Sequence, residues 1–333
     1  MALLLSPSFF DQPALQSVNR TLEGDHFPLS RGGRGTGRRR GRTSLSFSRS
    51  SMMASTKNPK SWVEYDDRLP PAQRTLMESL LITLDAQLGP ELNPCLTPSD
   101  VRYFKNQEGT CHGSVNLRSG TENSKVRYIL ASWLHCELPF GLLDSTTLIC
   151  MLNTNTYAPH FLFEIIQNSP TSAVLLMDLL PRRDLVLHPD YLKQFYEDTQ
   201  LDLQRQKLEK LELVQPYISP FLSIRTLFSP SAILTNLNCE GQLVDGKTCS
   251  VEELIDQTLG KVVKEIMSIW FEQYASPQET KMDENEKDGI LLRDNMIWNI
   301  GVDKDMRLNL PRLFNSDIAN RVLAAIEKEV YVQ

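Results

Sequence analysis

The sequence Phe161-Leu-Phe-Glu-Ile-Ile-Gln167 has the pattern of a β-strand, because bulky apolar residues continue along it without Gly or Pro. Neighbouring side chains of a strand point to opposite faces, so Leu162, Glu164 and Ile166 are expected to share one face. Similar stretches lie before and after it, at residues 114–118, 126–134, 147–153 and 173–179. Their connections are too short for crossover helices, which predicts an antiparallel meander.

Helical patterns flank these strands on both sides. Residues 71–88 carry leucines at steps of three and four, and Pro71 suits a first helical turn. Further helices are predicted over residues 191–211 and 252–274, and a last one with Ser316 as its N-cap. The acidic residues 278–288 are predicted to form a mobile surface loop.

These elements predict one domain over residues 52–333, which is close to the whole chain after its first segment. Strands as apolar as Ala173-Val-Leu-Leu-Met177 need cover on both faces. We therefore expect an α+β fold, an α/β/α sandwich in which a central antiparallel sheet is flanked by helices on both faces.

Residues 1–51 differ from the rest of the chain in charge. They contain eight arginines, no lysine and three acidic residues, whereas the whole chain has a formal net charge of −6. An Arg-rich, Ser-rich segment without apolar periodicity is typical of a disordered organelle transit peptide. The predicted destination is the chloroplast or the mitochondrion, and a start at Met52 or Met53 would give a non-imported form. The same arginines also fit a basic arm for nucleic acid, since Arg31-Gly-Gly-Arg34-Gly resembles an RGG tract.

The sequence contains no motif of a metal-binding or nucleotide-binding protein. The six cysteines form neither a CxxC pair nor a Cys/His metal spacing, and the glycines lack the GxGxxG spacing. The five histidines are accompanied by neither HExxH nor GxSxG. No apolar run approaches the ~20 residues of a membrane-spanning helix. We therefore expect free thiols, no bound metal and no transmembrane segment.

Glu164 is the most informative single residue, because its carboxyl lies between two aliphatic side chains on one strand face. If that face lines a pocket under helices, loss of solvent favours the neutral carboxyl, and Glu164 becomes a candidate proton donor. The alternative is a solvated carboxylate on an edge strand. His160 directly precedes this strand and is a further candidate for a ligand contact.

Other charged residues give weaker signals. Asp303 and Asp305 lie in a polar stretch that we expect to be a solvated loop. Arg182, Arg183 and Arg225 lie near predicted element ends, where guanidinium groups can meet anionic groups of a ligand. Solvated surface arginines are the alternative.

Four stretches in a fixed order are similar to red chlorophyll catabolite reductases of plants. They are Ala158-Pro-His-Phe-Leu-Phe-Glu-Ile-Ile-Gln167, Met177-Asp-Leu-Leu-Pro-Arg-Arg-Asp-Leu-Val-Leu-His-Pro-Asp-Tyr-Leu192, Gln215-Pro-Tyr-Ile-Ser-Pro220 and Phe228-Ser-Pro230. The resemblance extends over roughly residues 60–333 and is more specific than any short motif.

The resemblance implies the fold of the ferredoxin-dependent bilin reductases. It also implies a chloroplast stromal oxidoreductase of chlorophyll breakdown in senescence. Such an enzyme reduces the C20/C1 double bond of red chlorophyll catabolite, an opened linear tetrapyrrole, to primary fluorescent chlorophyll catabolite. Reduced ferredoxin supplies the electrons one at a time, and no flavin, nicotinamide or metal is bound. A homodimer, and other chlorophyll-breakdown enzymes as further partners, are expected from the same resemblance.

Carried over by position, the family's two acidic site residues fall on Glu164 and Asp305. The sequence around Asp305 departs from the family pattern, which leaves Asp303 as its rival. Arg225 is expected to hold substrate carboxylates, and His160 is a further substrate-binding candidate. Phe228 is expected to form a pocket wall that sets which face of C1 receives hydrogen.

Two other function classes remain open from the sequence. One is a non-catalytic carrier that sequesters a phototoxic tetrapyrrole. The other is RNA binding through residues 1–51.

Overall fold

The structure is a computed structural model. It describes residues 62–139, 141–241, 243–244, 247–276 and 282–331. The predicted transit peptide, residues 1–51, lies outside these ranges. Within them, no helix combines the length and the apolar character needed to cross a membrane.

An eight-stranded antiparallel sheet forms the centre of the described fold. Its strands are β1 (Phe104–Lys105), β2 (Cys111–Ser119), β3 (Val126–Leu138), β4 (Gly141–Leu152), β5 (His160–Ser169), β6 (Ser172–Leu180), β7 (Val214–Pro216) and β8 (Ile233–Asn238). Strands β1 to β6 pair in sequence order, and β8 lies between β6 and β7. The five strands expected from the sequence are β2 to β6, so the predicted meander is confirmed. A small separate hairpin consists of β9 (Leu243–Val244) and β10 (Lys247–Thr248).

The register of the sheet assigns each side chain to one of two faces. On β5, Leu162 pairs with Ile149 of β4 and Asp178 of β6, and Glu164 lies two residues further along the strand, on the same face. We call the face of Leu162 and Glu164 the second face. The face of Phe161, the residue before Leu162, is the first face.

The first face is covered by α1 (Pro71–Leu88) and by a long helical segment. This segment is α6 (Val251–Leu254), a π-helical turn over residues 255–259, and α7 (Gly260–Ala275). The predicted stripe of α1 is confirmed, because its leucines are buried against the sheet. Trp270 of α7 packs on Phe161 with ring centroids 5.8 Å apart.

The second face is covered by the last helices of the chain. They are α8 (Glu284–Met296), a π-helical turn over residues 297–303, α9 (Lys304–Phe314) and α10 (Ser316–Tyr331). Trp298 meets Tyr128 edge to face at 5.9 Å between centroids, and Phe314 meets Phe104 at 4.8 Å. The sheet is therefore covered on both faces, and the predicted α/β/α sandwich is confirmed.

The segment between β6 and β8 differs from the prediction. Instead of one helix over residues 191–211 it forms α3 (Pro189–Leu192), a π-helical turn, α4 (Asp202–Leu208) and, further on, α5 (Leu222–Arg225). Gln200 has a φ of 54°, a left-handed conformation that interrupts a helix. Strands β7 and β8, which were not predicted from the sequence, also extend the sheet in this part of the chain.

Three predictions about the C-terminal third are wrong. The described part of residues 278–288 starts a helix, because the Asp283 carboxylate accepts the Glu286 backbone N–H at 2.8 Å in a capping box. Asp303 and Asp305 also lie in helical turns and not in a loop. The last helix is capped by Asn315 and not by Ser316, since the Asn315 side chain accepts the Ile318 N–H at 3.0 Å.

A buried ion pair joins the helices of the second face to the sheet. Arg182, which follows β6, donates from Nε and Nη2 to the two carboxylate oxygens of Asp294 in α8, at 3.0 and 2.6 Å. His160 donates from Nε2 to the same carboxylate at 2.8 Å, and its Nδ1 accepts the Leu152 N–H at 3.0 Å. The side chains of Arg182 and His160 are 0% exposed, so this polar cluster is shielded from water.

The cluster fixes the protonation states of its members. The backbone N–H of Leu152 occupies Nδ1 of His160, and burial is the main cause that lowers the pKa of this imidazole. Burial alone would raise the pKa of Asp294, but its His160 and Arg182 partners outweigh burial and hold that pKa well below its usual range. The cluster is thus a neutral imidazole beside a carboxylate–guanidinium pair.

Replacing His160 should change how stability depends on pH. Because the pKa of His160 is lowered in the folded state, the unfolded chain binds more protons below about pH 6.5. Stability is therefore lost as pH falls through that value, by up to about 1.4 kcal/mol per pH unit. His160→Gln keeps a donor for Asp294 but does not titrate. Urea unfolding between pH 7.5 and 5 should show wild type losing stability relative to the variant, and parallel curves would contradict the prediction.

A matched pair of glycine substitutions tests the packing around the sheet. A Cβ at Gly120 would lie 2.1 Å from the backbone oxygen of Val126, a clash that no side-chain rotation relieves. Gly120→Ala should lower the free energy of unfolding by about 2–3 kcal/mol. Gly289, inside α8, has open space at that position, and Gly289→Ala should be neutral or stabilising by about 1 kcal/mol. Thermal unfolding of both variants measures the contrast, and equal effects would refute it.

Candidate functional site

An apolar pocket lies between the second face of the sheet and the segments that cover it. Strands β4, β5 and β6 form its floor, and α5, the residues after α5 and the π-helical turn 297–303 form its walls. The lining residues are Ile149, Met151, Leu162, Leu180, Ile224, Leu227, Phe228, Ile297, Gly301 and Val302. A pocket of this composition favours a largely apolar ligand.

Glu164 lies on the pocket face, one alternate position along β5 from the lining residue Leu162. Its side chain is 0% exposed, and β4 and β6 pair with the strand on either side. Oε1 of Glu164 accepts the hydroxyl of Thr147 at 2.9 Å. The carboxyl is therefore buried on a central strand, which meets the condition set for a proton donor, and the alternative of a solvated carboxylate on an edge strand is wrong.

Tyr217 is an electrostatic neighbour of Glu164. It follows β7 and is buried, with its backbone N–H bonded to the carbonyl of Leu234 at 2.7 Å. Burial first, and then the charge of Glu164, raise the pKa of the Tyr217 phenol to about 12. Tyr217 is therefore a neutral hydroxyl near the Glu164 carboxyl at physiological pH.

A second buried carboxyl, Asp178, lies diagonally across from Glu164 on β6. Asp178 is paired with Leu162 in the register, and its side chain is buried. Its two oxygens accept the backbone N–H and the hydroxyl of Ser229, at 2.7 and 2.6 Å. Burial raises the pKa of Asp178 to about 7 against the opposing effect of these hydrogen bonds.

Phe228 and Arg225 belong to the pocket wall that is formed by α5 and the residues after it. The ring of Phe228 lines the pocket. Arg225 ends α5, immediately after the lining residue Ile224, and its side chain is exposed. Within the described part of the chain, its guanidinium makes no hydrogen bond or ion pair. The positive charge of Arg225 thus lies beside the pocket and is open to solvent.

The two candidate aspartates of the C-terminal third have different surroundings. Asp303 accepts Nε of Arg307 at 2.9 Å, and Arg307 also contacts Glu327 on α10. Asp305 is half-buried in the first turn of α9, one turn after the lining residue Gly301. Its carboxylate accepts the side-chain amide of Asn309 at 3.0 Å. Asp303 therefore accepts a hydrogen bond from a guanidinium, and Asp305 accepts one from a side-chain amide.

Three basic residues have internal partners that the sequence did not indicate. His160 is on the pocket face, but both of its ring nitrogens are bonded to groups of the protein. Arg182 is neither solvated nor directed to a ligand, because it is buried against Asp294. Arg183 lies 3.4 Å from Glu286 and over the ring of Tyr157. A direct bond from His160 to a ligand would require the loss of an existing hydrogen bond.

The structure thus brings the predicted catalytic and substrate-binding residues to one side of the sheet, each within a few residues of a pocket-lining position. They are Glu164, Asp305, Phe228, Arg225 and His160. Sequence reasoning missed Asp178, Ser229, Tyr217 and Asp294. Asp178 carried a readable signal, because it is an acid inside the apolar run Val174-Leu-Leu-Met-Asp-Leu-Leu180. Asp294 carried none, since its partner Arg182 is 112 residues away in the chain.

Comparisons with known proteins agree with this architecture. Phytochromobilin synthase from tomato, solved in complex with biliverdin, superposes with a TM-score of 0.55 at 16% identity, over 75% of this chain and 80% of that chain. At this level of identity the likeness concerns the fold alone. It agrees with the bilin reductase fold that the sequence resemblance implies.

Sequence comparisons are more specific. Red chlorophyll catabolite reductase 1, chloroplastic, of Oryza sativa subsp. japonica is 38% identical over 317 residues, 94% of this chain and 93% of the relative. The chloroplastic red chlorophyll catabolite reductase of Arabidopsis thaliana is 37% identical over 261 residues, 78% of this chain and 80% of the relative. The family model for red chlorophyll catabolite reductase matches residues 72–328, which include both helical layers and the whole central sheet. This chain therefore belongs to the red chlorophyll catabolite reductase family.

Proposed function

We propose that the protein is an oxidoreductase of chlorophyll breakdown that reduces the C20/C1 double bond of red chlorophyll catabolite. The product is primary fluorescent chlorophyll catabolite. Two electrons and two protons enter the pigment, so that C20 and C1 each gain a hydrogen. The names of the relatives support the reaction, and the observation in this chain that carries it is the fully buried Glu164 beside an apolar pocket.

Glu164 would act as a proton donor to the pigment. A proton donor must lie within hydrogen-bond reach of the reacting atom and be shielded from water that would compete with it. Its position one alternate residue from Leu162 puts the carboxyl at the edge of the pocket, and Thr147 orients it from the neighbouring strand. Oε1 accepts a hydrogen bond from the Thr147 hydroxyl at 2.9 Å, and this bond fixes the orientation of the carboxyl.

Asp305 would supply or relay the second proton. It lies one helical turn after Gly301, which lines the pocket, and its partner is the neutral Asn309. Oδ1 of the buried Asn309 has no hydrogen-bond partner among the described residues, so a donor group of a bound pigment would find an acceptor there. Asp303 is the weaker candidate because Arg307 already neutralises it.

The other candidates would bind and orient the substrate. Arg225 would pair with a carboxylate of the tetrapyrrole beside the pocket. Phe228 would form the wall that decides which face of C1 receives hydrogen, since its ring lines the pocket. His160 would support the pocket from within, because its ring nitrogens are already bonded to Leu152 and Asp294.

The electron donor would be reduced ferredoxin, which delivers electrons singly, without a bound flavin, nicotinamide or metal in between. A radical form of the pigment must then persist between the two transfers, and an apolar pocket protects it from water. The named chloroplastic location of both relatives supports action in the chloroplast stroma, with residues 1–51 as the transit peptide. A homodimer is part of the same proposal.

Glu164→Gln tests the proton donor with a nearly isosteric side chain. The amide can still accept the Thr147 hydroxyl, but it cannot give up a proton, so turnover should fall by about 10²- to 10⁴-fold. The assay is anaerobic reduction of the red pigment with ferredoxin and its reductase, followed by the appearance of product fluorescence. Glu137→Gln, an exposed position at the end of β3, is the matched control and should keep wild-type turnover.

Full turnover by Glu164→Gln would refute the donor role. A wild-type chain that binds the pigment and stays red with reduced ferredoxin present would refute the reductase and support a tetrapyrrole carrier. Binding is followed separately through the absorption spectrum of the pigment.

Asp303→Asn and Asp305→Asn, made separately, test the second acid. Asp305→Asn should lower turnover by about 10²-fold, because a proton step is lost. Asp303→Asn should change turnover less than about twofold, because it only removes an exposed ion pair with Arg307. The opposite ranking would assign the role to Asp303, and two active variants would mean that neither acid takes part.

A further inference from the structure

A buried carboxyl outside the proposed proton-transfer groups holds one wall of the pocket. Asp178 is 2% exposed, and the described structure shows no ion pair for it. Both carboxyl oxygens accept hydrogen bonds from Ser229. Its backbone N–H donates at 2.7 Å and its hydroxyl donates at 2.6 Å. This contact joins positions that are 51 residues apart in the chain.

Ser229 is the residue after Phe228, so the contact fixes the backbone from which the ring projects. The N–H bonded to Asp178 belongs to the peptide plane between Phe228 and Ser229, and a planar peptide also fixes the direction of the Phe228 carbonyl. Pro230 fixes its own φ and restricts the backbone of Ser229 before it, and Ser229 Oγ accepts the N–H of Ser231 at 3.1 Å, which closes the turn. The Phe228 side chain therefore projects from a backbone whose following residues are held in place.

The sheet places this anchor directly under the pocket. Asp178 pairs in the register with Leu162, and both Leu162 and Phe228 line the pocket. A shift of the turn would therefore move the Phe228 ring relative to the pocket floor. The position of this wall depends on one carboxyl on the neighbouring strand.

A carboxyl at this position costs stability. Burial raises the pKa of Asp178 to about 7. Ionising this buried carboxyl near neutral pH therefore lowers the free energy of unfolding. An apolar residue would fill the same place on an otherwise apolar strand at lower cost. Costly buried polar groups are found where a specific geometry is needed.

We propose that Asp178 is a positioning residue that, through Ser229, holds the Phe228 ring against the bound pigment and so sets which C1 epimer forms. The inference rests on the proposed reduction of red chlorophyll catabolite. It assigns to Asp178 no contact with the pigment and no proton transfer.

The test compares Asp178→Ala, Asp178→Asn, Ser229→Ala and Phe228→Ala in the full chain. The readouts are the ratio of the two C1 epimers, separated by chromatography, together with kcat and KM. Asp178→Ala should change the epimer ratio about tenfold or more and raise KM more than it lowers kcat. Asp178→Asn keeps an acceptor for the N–H and gains a donor for the hydroxyl, so it should retain the wild-type ratio.

Ser229→Ala loses only the hydroxyl contact and should give an intermediate ratio. The double variant Asp178→Ala, Phe228→Ala should have the same ratio of C1 epimers as Phe228→Ala alone, because both changes act through the Phe228 ring. Asp144→Ala is the matched control. It removes a buried carboxyl that contacts His135 at 2.6 Å on the first face, and it should leave the ratio unchanged.

A wild-type epimer ratio in folded Asp178→Ala, with a scrambled ratio in Phe228→Ala, overturns the proposal. If Asp178→Ala does not fold, a wild-type ratio in Ser229→Ala overturns it instead. The circular dichroism of the bound pigment distinguishes failure of the proposed reduction from failure of the positioning role. If wild type binds pigment but does not reduce it, the proposed function fails, and an unchanged pigment spectrum in Asp178→Ala then rejects the positioning role as well.

Discussion

The architecture of the pocket depends on the buried ion pair between Arg182 and Asp294. Arg182 also donates from Nη1 to the carbonyls of Asn153 and Thr156, so one guanidinium joins two sheet connections to α8. The removal of one partner from such a pair typically costs about 3–5 kcal/mol, because a buried charge is left without compensation. The preceding residue of α8, Arg293, donates to the carbonyls of Pro181 and Leu227 at 3.1 and 3.2 Å. Neighbouring residues of α8 thus hold the strand end and the pocket wall together.

The second face of the sheet combines two requirements that oppose each other. An apolar surface is needed to bind a large pigment, yet polar groups must stand at chosen points of that surface. The chain meets both by giving each buried acid a partner from the protein, Thr147 for Glu164 and Ser229 for Asp178. A hydroxyl donates one directed hydrogen bond to a carboxyl oxygen, so these contacts help to orient both acids within the apolar face.

The sequence predicted best what is encoded locally. Strands β2 to β6 and helix α1 follow from apolar periodicity, whereas the neighbours of Glu164 on its strand leave both burial and exposure at a sheet edge open. The start of α8 also carries a local signal, the acid pair Asp283 and Glu286, but the polar segment around it favours a loop. Strand β8 alternates buried Ile233, Thr235 and Leu237 with less buried residues, but its short length and two asparagines weaken the pattern.

The remaining features depend on contacts between distant parts of the chain. Arg182 gives no sign of burial in its own neighbourhood, because its solvation is replaced by a carboxylate far along the chain and by two loop carbonyls. Asp303 and Asp305 are helical for a similar reason. Their segment packs on the second face of the sheet, and this packing outweighs the polar local sequence. The resemblance to the family indicates Asp305, but its hydrogen bond with Asn309 follows only from the helical conformation of α9.

The π-helical turn over residues 297–303 can absorb a change of chain length between α8 and α9. A π-helical turn accommodates one residue more than an α-helix of the same rise. If a single residue were deleted there, the turn would become a regular α-helix, and α9 would keep its rotation about the axis. Asp305 and Asn309 would then stay on the side that carries Gly301. A deletion within the regular part of α9 would instead rotate the residues after it by roughly 100°, so natural variation in length should be tolerated in the turn and not in the helix.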